Sequence, residues 1–508
     1  MELICRRPII MFILACLLMA LIYTQLPLYA SNQHQYFLHG MAQAGLGSLD
    51  EDWLSITREP TPLFTLLVKT TFLALKNPLW FYVFYALLMG LYLWSILGIL
   101  DITLNIGQST TTMLFSATLI LAAHSTALRF LLGSKLGPDW TFLFDGGLAG
   151  QRLLGTVFQP SVFGVLLLTA ILLFLRARPV WASALAAFAA CIHPTYLFTA
   201  GLLVTGFMLT GYLEKIDFWP PLHMGAAALA VIAPILIYTL VHFTGGENAA
   251  YAYSILIDIR LPHHTLYSEW LDLAAAFKIL MVAGALLAVK DQRNFFIPLF
   301  VVFCGSFLLT VYQILSGSPF LALLFPWRPS ALLVPLASSV LIGKLALFLL
   351  DRARAGGKVS EGLTSFLSVL LLLALCAAGL YRMSAAAGED RLSPQNGMLE
   401  WVRTESVDGD RFLIPVNMEK FRTTTLRPVY VDFFAIPYKS EDVITWYHRV
   451  LAANKFYDTH DCIELYHVAY DGDLNYVVME RSDPQPECPG LEQLYQDNHY
   501  VVYRYTRK

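Results

Sequence analysis

The sequence predicts a polytopic α-helical membrane protein of about eleven spans, with a small α/β domain at its C-terminal end. Three observations predict it. Of the 508 residues, 57% are hydrophobic and only 14% charged, where a soluble domain carries about a quarter charged residues. The apolar residues come in long runs rather than in amphipathic periods, which is the pattern of membrane spans. After residue 382 the composition turns polar, with short β-like runs flanking a helical stretch. The net charge of −3 leaves no basic excess, so nucleic acid is not an expected partner.

The first run, MELICRRPIIMFILACLLMALIYTQLPLYA, has a basic start and an apolar core of span length. A cleaved signal peptide needs a shorter core and small residues before the cut. Leu28 stands where a small residue is required, so the run reads as an uncleaved first helix with its basic end in the cytoplasm. Expected spans are 9–30, 78–100, 111–132, 158–176, 180–194, 195–213, 223–243, 270–289, 295–315, 330–350 and 362–382. Each approaches the ~20 residues a bilayer requires, except the pair within 180–213. That pair is two short helices hinged at His193-Pro194 or one long broken helix.

Basic residues decide between them, because cytoplasmic loops are enriched in Lys and Arg. With eleven spans the inner loops hold Arg6 and Arg7, Arg176 and Arg178, Lys215, Lys290 and Arg293, then Arg352, Arg354 and Lys358. Only loop 101–110 lacks one. A single span over 180–213 would turn the later basic loops outward. The outer side then receives loops 31–77, 133–157, 244–269 and 316–329 of a transmembrane domain at 1–382, and the whole of 383–508.

Segment 383–508 alternates RFLIPV, RPVYVDFF, NYVVME and YVVYRY with a helical stretch near 440–455. This is the pattern of a small α/β domain outside the membrane. It holds Cys462 and Cys488, two of the seven cysteines. In an oxidising compartment these form a disulfide; otherwise they stay two unpaired thiols.

The outer loops hold Arg58, Lys69, Lys135, Arg152, Arg260 and Arg328 on the side where such residues are scarce. One of them alone reads as a side chain snorkelling to headgroups. As a set they fit an anionic group at the outer leaflet, and a lipid-linked phosphate is the leading candidate. In IRLPHHTLYSEW, Arg260, His263 and His264 flank Pro262; imidazoles donate to phosphate oxygens or shuttle protons. FPWRPS sets Arg328 between two prolines, which hold it on a rigid turn. CIHPTY puts His193 where irregular backbone is tolerated if it lines a cavity. GGLAGQRLLGTVFQPSVFG, with Gln151 and Arg152, is glycine-rich but lacks phosphate-loop spacing, so no nucleotide site follows.

The densest acidic cluster, Asp50, Glu51 and Asp52, runs into Trp53 in the first outer loop. On composition it is a hydrated loop or a helix cap. Sharing its side of the membrane with the basic set, it also fits a general base or a metal ligand for group transfer.

These stretches carry a resemblance. NQHQYFLHGMAQAGLGSLDEDWLSITREPTPLF, RLPHHTLYSEW, LLFPWRPSALLVPL and RPVYVDFFAIPYKSEDVITWYHR resemble segments of bacterial multispan proteins of uncharacterised function, across most of the chain. That group is similar in layout to the C-type (GT-C) membrane glycosyltransferases. The resemblance implies a sugar transfer from a polyprenyl-phosphate donor to a glycan, lipid or protein acceptor at the outer face of a bacterial inner membrane. It implies Asp52 as catalytic base or metal holder, with Asp50 and Glu51 as supporting acids and a divalent metal as candidate cofactor. No second acidic loop accompanies them. Arg260, His263, His264, Arg328, Arg152, Gln151 and His193 are the expected donor-phosphate contacts. The competing expectations are a transporter or flippase of a lipid-linked or anionic solute, and a non-catalytic membrane scaffold. Transporters favour internal repeats and mid-membrane charges; the sequence shows no convincing repeat, its charges concentrate at the outer boundary, and His124, Arg129, His193 and His242 are the noticeable polar intrusions into spans.

Overall fold

The computed structural model describes residues 8–243, 245–355 and 360–506. Arg6, Arg7 and Lys358, three of the expected inner cations, lie outside them, as does the side chain of Lys215. The chain divides into two compact units. One, the helical unit, runs to Gln25 and then takes in Phe81–Ile237 and Leu261–Ser384. The other, the mixed unit, combines Leu26–Trp80, Tyr238–Arg260 and the chain from Ala385 onward. The first expected outer loop therefore belongs to the same unit as the C-terminal segment.

The chain is a membrane protein. Among the described residues six helices are long and apolar enough to cross a bilayer: Trp80–Leu104, Pro194–Glu214, Trp219–Phe243, Arg293–Ser316, Ser330–Ala355 and Glu361–Arg391. A seventh candidate is the pair Thr110–Ala123 and Thr126–Leu136, bent by 42°. Length thus supports six or seven spans where the sequence suggested eleven. The expected spans 9–30, 158–176, 180–194 and 270–289 correspond to shorter helices, Pro8–Tyr23, Pro160–Leu175, Pro179–Ile192 and Leu273–Ala288.

The reasons are local. Thr24 turns left-handed at φ +65° and stops the first helix. His193 is extended ahead of Pro194, as a residue before proline prefers, so 180–213 is two helices. Ser125 breaks the bent pair by capping its second half, accepting from Leu128 N at 3.1 Å. Segment PTPLFTLLVKTTFLALK, in the first loop, forms a further short apolar helix, Pro62–Leu75.

In the mixed unit four strands, β1 (Phe412–Leu413), β2 (Tyr476–Glu480), β3 (Leu491–Gln496) and β4 (Tyr500–Tyr505), form one sheet ordered β1-β2-β4-β3. β1 is parallel to β2; the other pairs are antiparallel. Helices Asn396–Glu405, Ser440–Thr459 and Cys462–Gly472 accompany it. Its core gathers Phe412, Phe421, Val478 and Val502, all fully or almost fully buried. RPVYVDFF, strand-like in sequence, makes only one bridge, Val429 to Phe412. Val429 N donates instead to Asp52 Oδ2 at 3.0 Å, and Phe433 N to Val416 O at 2.8 Å.

Cys462 and Cys488 are disulfide-bonded, with Cα atoms 5.4 Å apart and a sequence separation of 26. The free thiols among the described residues, Cys16, Cys191, Cys304 and Cys376, all lie in the helical unit. Closing a loop of that length restricts the unfolded chain, a contribution of roughly 2–4 kcal/mol. Cys462→Ser with Cys488→Ser is expected to raise protease sensitivity of the mixed unit by that margin. Unchanged sensitivity would mean the bridge is dispensable.

A cation-rich loop in the helical unit

Residues 145–152, DGGLAGQR, close a buried turn through a bridge between Gly146 and Arg152. Four side chains from distant parts of the sequence hold this turn. Lys278 Nζ donates to Gly147 O at 3.1 Å, and Leu148 N donates to Ser330 Oγ at 2.7 Å. His264 Nδ1 donates to Ala149 O at 2.5 Å, and Arg328 Nη1 donates to Gln151 Oε1. Two glycines are required. A Cβ on Gly147 would lie 2.5 Å from Ala331 N, and Gly150 sits at φ +65° with the His264 ring against it.

Five of the expected donor-phosphate contacts thus meet here: Gln151, Arg152, His264, Arg328 and His193. Arg328 is 7% exposed, and its guanidinium lies 4.5 Å from the centre of the Tyr196 ring. His193 packs edge-on to the same ring and exchanges a hydrogen bond with Thr195. Arg328 Nε and Nη2 are buried with no hydrogen-bond partner among the described residues. Burial, with the adjacent His263 as the next cause, lowers the His264 pKa to about 3; its neutral ring therefore presents Nε2 as an acceptor. Arg152 covers the Phe142 ring at 3.6 Å.

Among the described residues of this unit, the buried basic and acidic side chains other than histidine are Arg129, Lys278, Arg328 and Asp145. Arg129 reaches the Tyr23 and Ser125 carbonyls rather than a carboxylate. Asp145 Oδ2 has no hydrogen-bond partner among the described residues. Three buried cations, with Arg152 half-buried beside them, face one buried carboxylate.

From the Lys278 and Ser330 end a furrow runs along helices Leu273–Ala288, Arg293–Ser316 and Ser330–Ala355. It joins two crevices of about 40 and 10 Å³ that share Val282 and Leu333. Lys278, Val282 and Leu286 form one helix stripe, about 12 Å long at the α-helical rise, with Val289 just past the helix end. Beyond Lys278 and two serines, its walls are apolar.

Asp50, Glu51, Asp52 and Arg260 belong to the mixed unit. Asp50 and Glu51 are exposed, with Glu51 3.6 Å from Arg411. Asp52 is wholly buried. Its Oδ1 accepts from Leu54 N at 3.0 Å; its Oδ2 accepts from Val429 N and, at 2.7 Å, from Arg422 Nε. Arg422 Nη1 also pairs with Asp432, whose other oxygen accepts from Phe434 N and Ala435 N. Arg260 Nη2 donates to Phe434 O at 2.7 Å. Among the described residues no three His, Cys, Asp or Glu side chains are arranged to hold a metal ion. The acidic cluster does not fit one: Asp52 is taken by Arg422 while its two neighbours face solvent.

Sequence reasoning missed Asp145, Lys278, Arg422 and Asp432. Lys278 had a signal, a lone lysine inside an apolar run, which marks a site by default. Arg422 had none, since its partners lie at positions 52 and 432.

Residues 395–453 match the family model described as Domain of unknown function (DUF6798). The match takes in Arg422, Asp432 and Trp446, whose Nε1 donates to Asp432 O at 2.9 Å. No curated protein matches the chain.

Proposed function

We propose that the protein is a membrane glycosyltransferase that uses a polyprenyl-phosphate sugar at the outer face of a bacterial inner membrane. The 145–152 loop is the seat of the donor phosphate. One observation carries the phosphate reading: three buried cations stand against one buried carboxylate, with Arg328 Nε and Nη2 unpartnered. Burying an ion costs several kcal/mol unless a counter-charge and hydrogen bonds offset it. A phosphate supplies both, and guanidinium matches its paired oxygens.

The prenyl chain lies along the apolar helix surface that leads away from Lys278, because the crevices of about 40 and 10 Å³ are too small to enclose it. As the glycosyl bond breaks, charge collects on the departing phosphate, and Arg328, Arg152 and Lys278 stabilise that build-up more than the ground state. His264 and Gln151 position the turn and Arg328. Asp52 is assigned to holding the mixed unit together rather than to taking the acceptor's proton, because its carboxylate is enclosed by protein donors. The Cys462–Cys488 disulfide supports an oxidising, extracytoplasmic setting for the mixed unit. Sugar transfer itself rests on the family resemblance.

The test is binding of a polyprenyl phosphate against the matching neutral polyprenol, on the full chain in lipid nanodiscs. Arg328→Gln is expected to weaken the phosphate lipid about a hundredfold, from two charged hydrogen bonds of about 1.5 kcal/mol each, and to leave the polyprenol unchanged. Equal loss for both lipids would sink the phosphate assignment. Release of sugar from the loaded donor separates a transferase from a flippase, which would move the donor intact.

A further inference from the structure

The helical unit has a second apolar opening, of about 460 Å³, none of whose lining belongs to the loop or the furrow. It lies at the bend between Thr110–Ala123 and Thr126–Leu136. Ala122, Ala123 and Ala127 stand at the bend, and their small side chains leave a space that Leu128, Ile342 and Leu375 wall without filling. The volume falls within the range of ligand sites, about 300–1,000 Å³.

Two cations continue the helix faces that wall this groove, beyond its lining residues. Lys135 is four residues beyond Leu131 and seven beyond Leu128, on the same helix face. Arg382 is seven residues beyond Leu375, also on the same face, and its guanidinium covers the Phe130 ring at 4.5 Å. Neither has a carboxylate partner among the described residues. From Glu361, Arg382 is about 31 Å along its helix, close to the ~30 Å thickness of a bilayer's hydrocarbon. That spacing matches a cation at headgroup level above an apolar groove at acyl-chain level.

We propose that this groove binds one anionic glycerophospholipid, with an acyl chain along Leu128, Leu131 and Leu375 and its phosphate between Lys135 and Arg382. The site is independent of the donor-phosphate reading, since it uses other residues. The bend fixes the groove and the two cations select the headgroup. A lipid seated there braces the break in the helix pair by filling the space that the alanines leave.

Native mass spectrometry of the full chain tests it, with phosphatidylglycerol, phosphatidylcholine of the same chains, and inorganic phosphate as probes. Phosphatidylglycerol is expected to be retained as a single adduct, favoured over phosphatidylcholine about 25-fold, at roughly fivefold for each cation near the surface. Lys135→Gln with Arg382→Gln should bring that preference close to one without changing the melting temperature. Ala127→Trp, which fills the groove, should remove both lipids. Equal binding of the two lipids, a preference that survives the double substitution, or displacement by equimolar inorganic phosphate would each overturn the proposal. So would a lipid adduct unaffected by Ala127→Trp.

Discussion

Arg422→Leu is expected to unfold the mixed unit, at a cost of about 5 kcal/mol or more. Arg422 is 2% exposed and lies between two buried carboxylates, Asp52 and Asp432. Removing one partner of a buried pair costs about 3–5 kcal/mol, because the other charge stays buried and uncompensated. Here two such charges remain, and they repel. Asp52→Asn alone is milder, about 1–3 kcal/mol, the worth of a charged hydrogen bond, since Arg422 keeps Asp432. Placed in the Arg422→Leu background, the same substitution should restore part of the stability by neutralising one stranded carboxylate. The measurement is protease susceptibility of residues 385–508 in the full chain. A wild-type profile for Arg422→Leu would dismiss the triad as the brace of this unit. Loss of sugar transfer in Asp52→Asn with an unchanged profile would instead return Asp52 to the role of base.

Acid should weaken the same unit by about 3 kcal/mol between pH 6.5 and about 4. His34 is 3% exposed, and its Nδ1 donates to Ser31 O. Burial lowers its pKa from 6.5 to about 4; nearby Arg422 and Arg260 push the same way. The unfolded chain therefore binds this proton first as pH falls, so stability present above pH 6.5 is lost down to the folded pKa. A shift of this size corresponds to about 3 kcal/mol at 1.36 kcal/mol per unit. His39, also lowered by burial, adds in the same direction. Glu419, 3.9 Å from His34, has a pKa raised by burial and opposes the trend, weakly, because it is partly exposed and screened. His34→Asn keeps a donor for Ser31 O and removes the titration. Its stability should be flat where the wild type falls. A wild-type slope in that variant would assign the acid sensitivity elsewhere.

Membrane character, the change of composition near 382 and most strand positions were legible in the sequence, because each follows from local hydrophobicity and alternation. The break at His193-Pro194 was legible for the same reason: proline limits its predecessor regardless of context. The span count was not, since an apolar run says nothing of where a helix stops inside it. Thr24 and Ser125 decide that through a left-handed turn and a cap.

The candidate site divides along the same line. Charge in the wrong place was visible at Arg328, His264 and Arg152, and these residues do meet at one loop. The sequence by itself determined that this is an apolar, multi-helix chain with a polar tail and cations that need explaining. Tertiary structure alone decided their company. It drew the first loop into the tail's unit and enclosed Asp52 against Arg422, 370 residues away. It also left two buried Arg328 nitrogens without a hydrogen-bond partner among the described residues. Hydrophobic periodicity is a property of neighbours along the chain, whereas a buried charge is settled by whichever group folding brings to it.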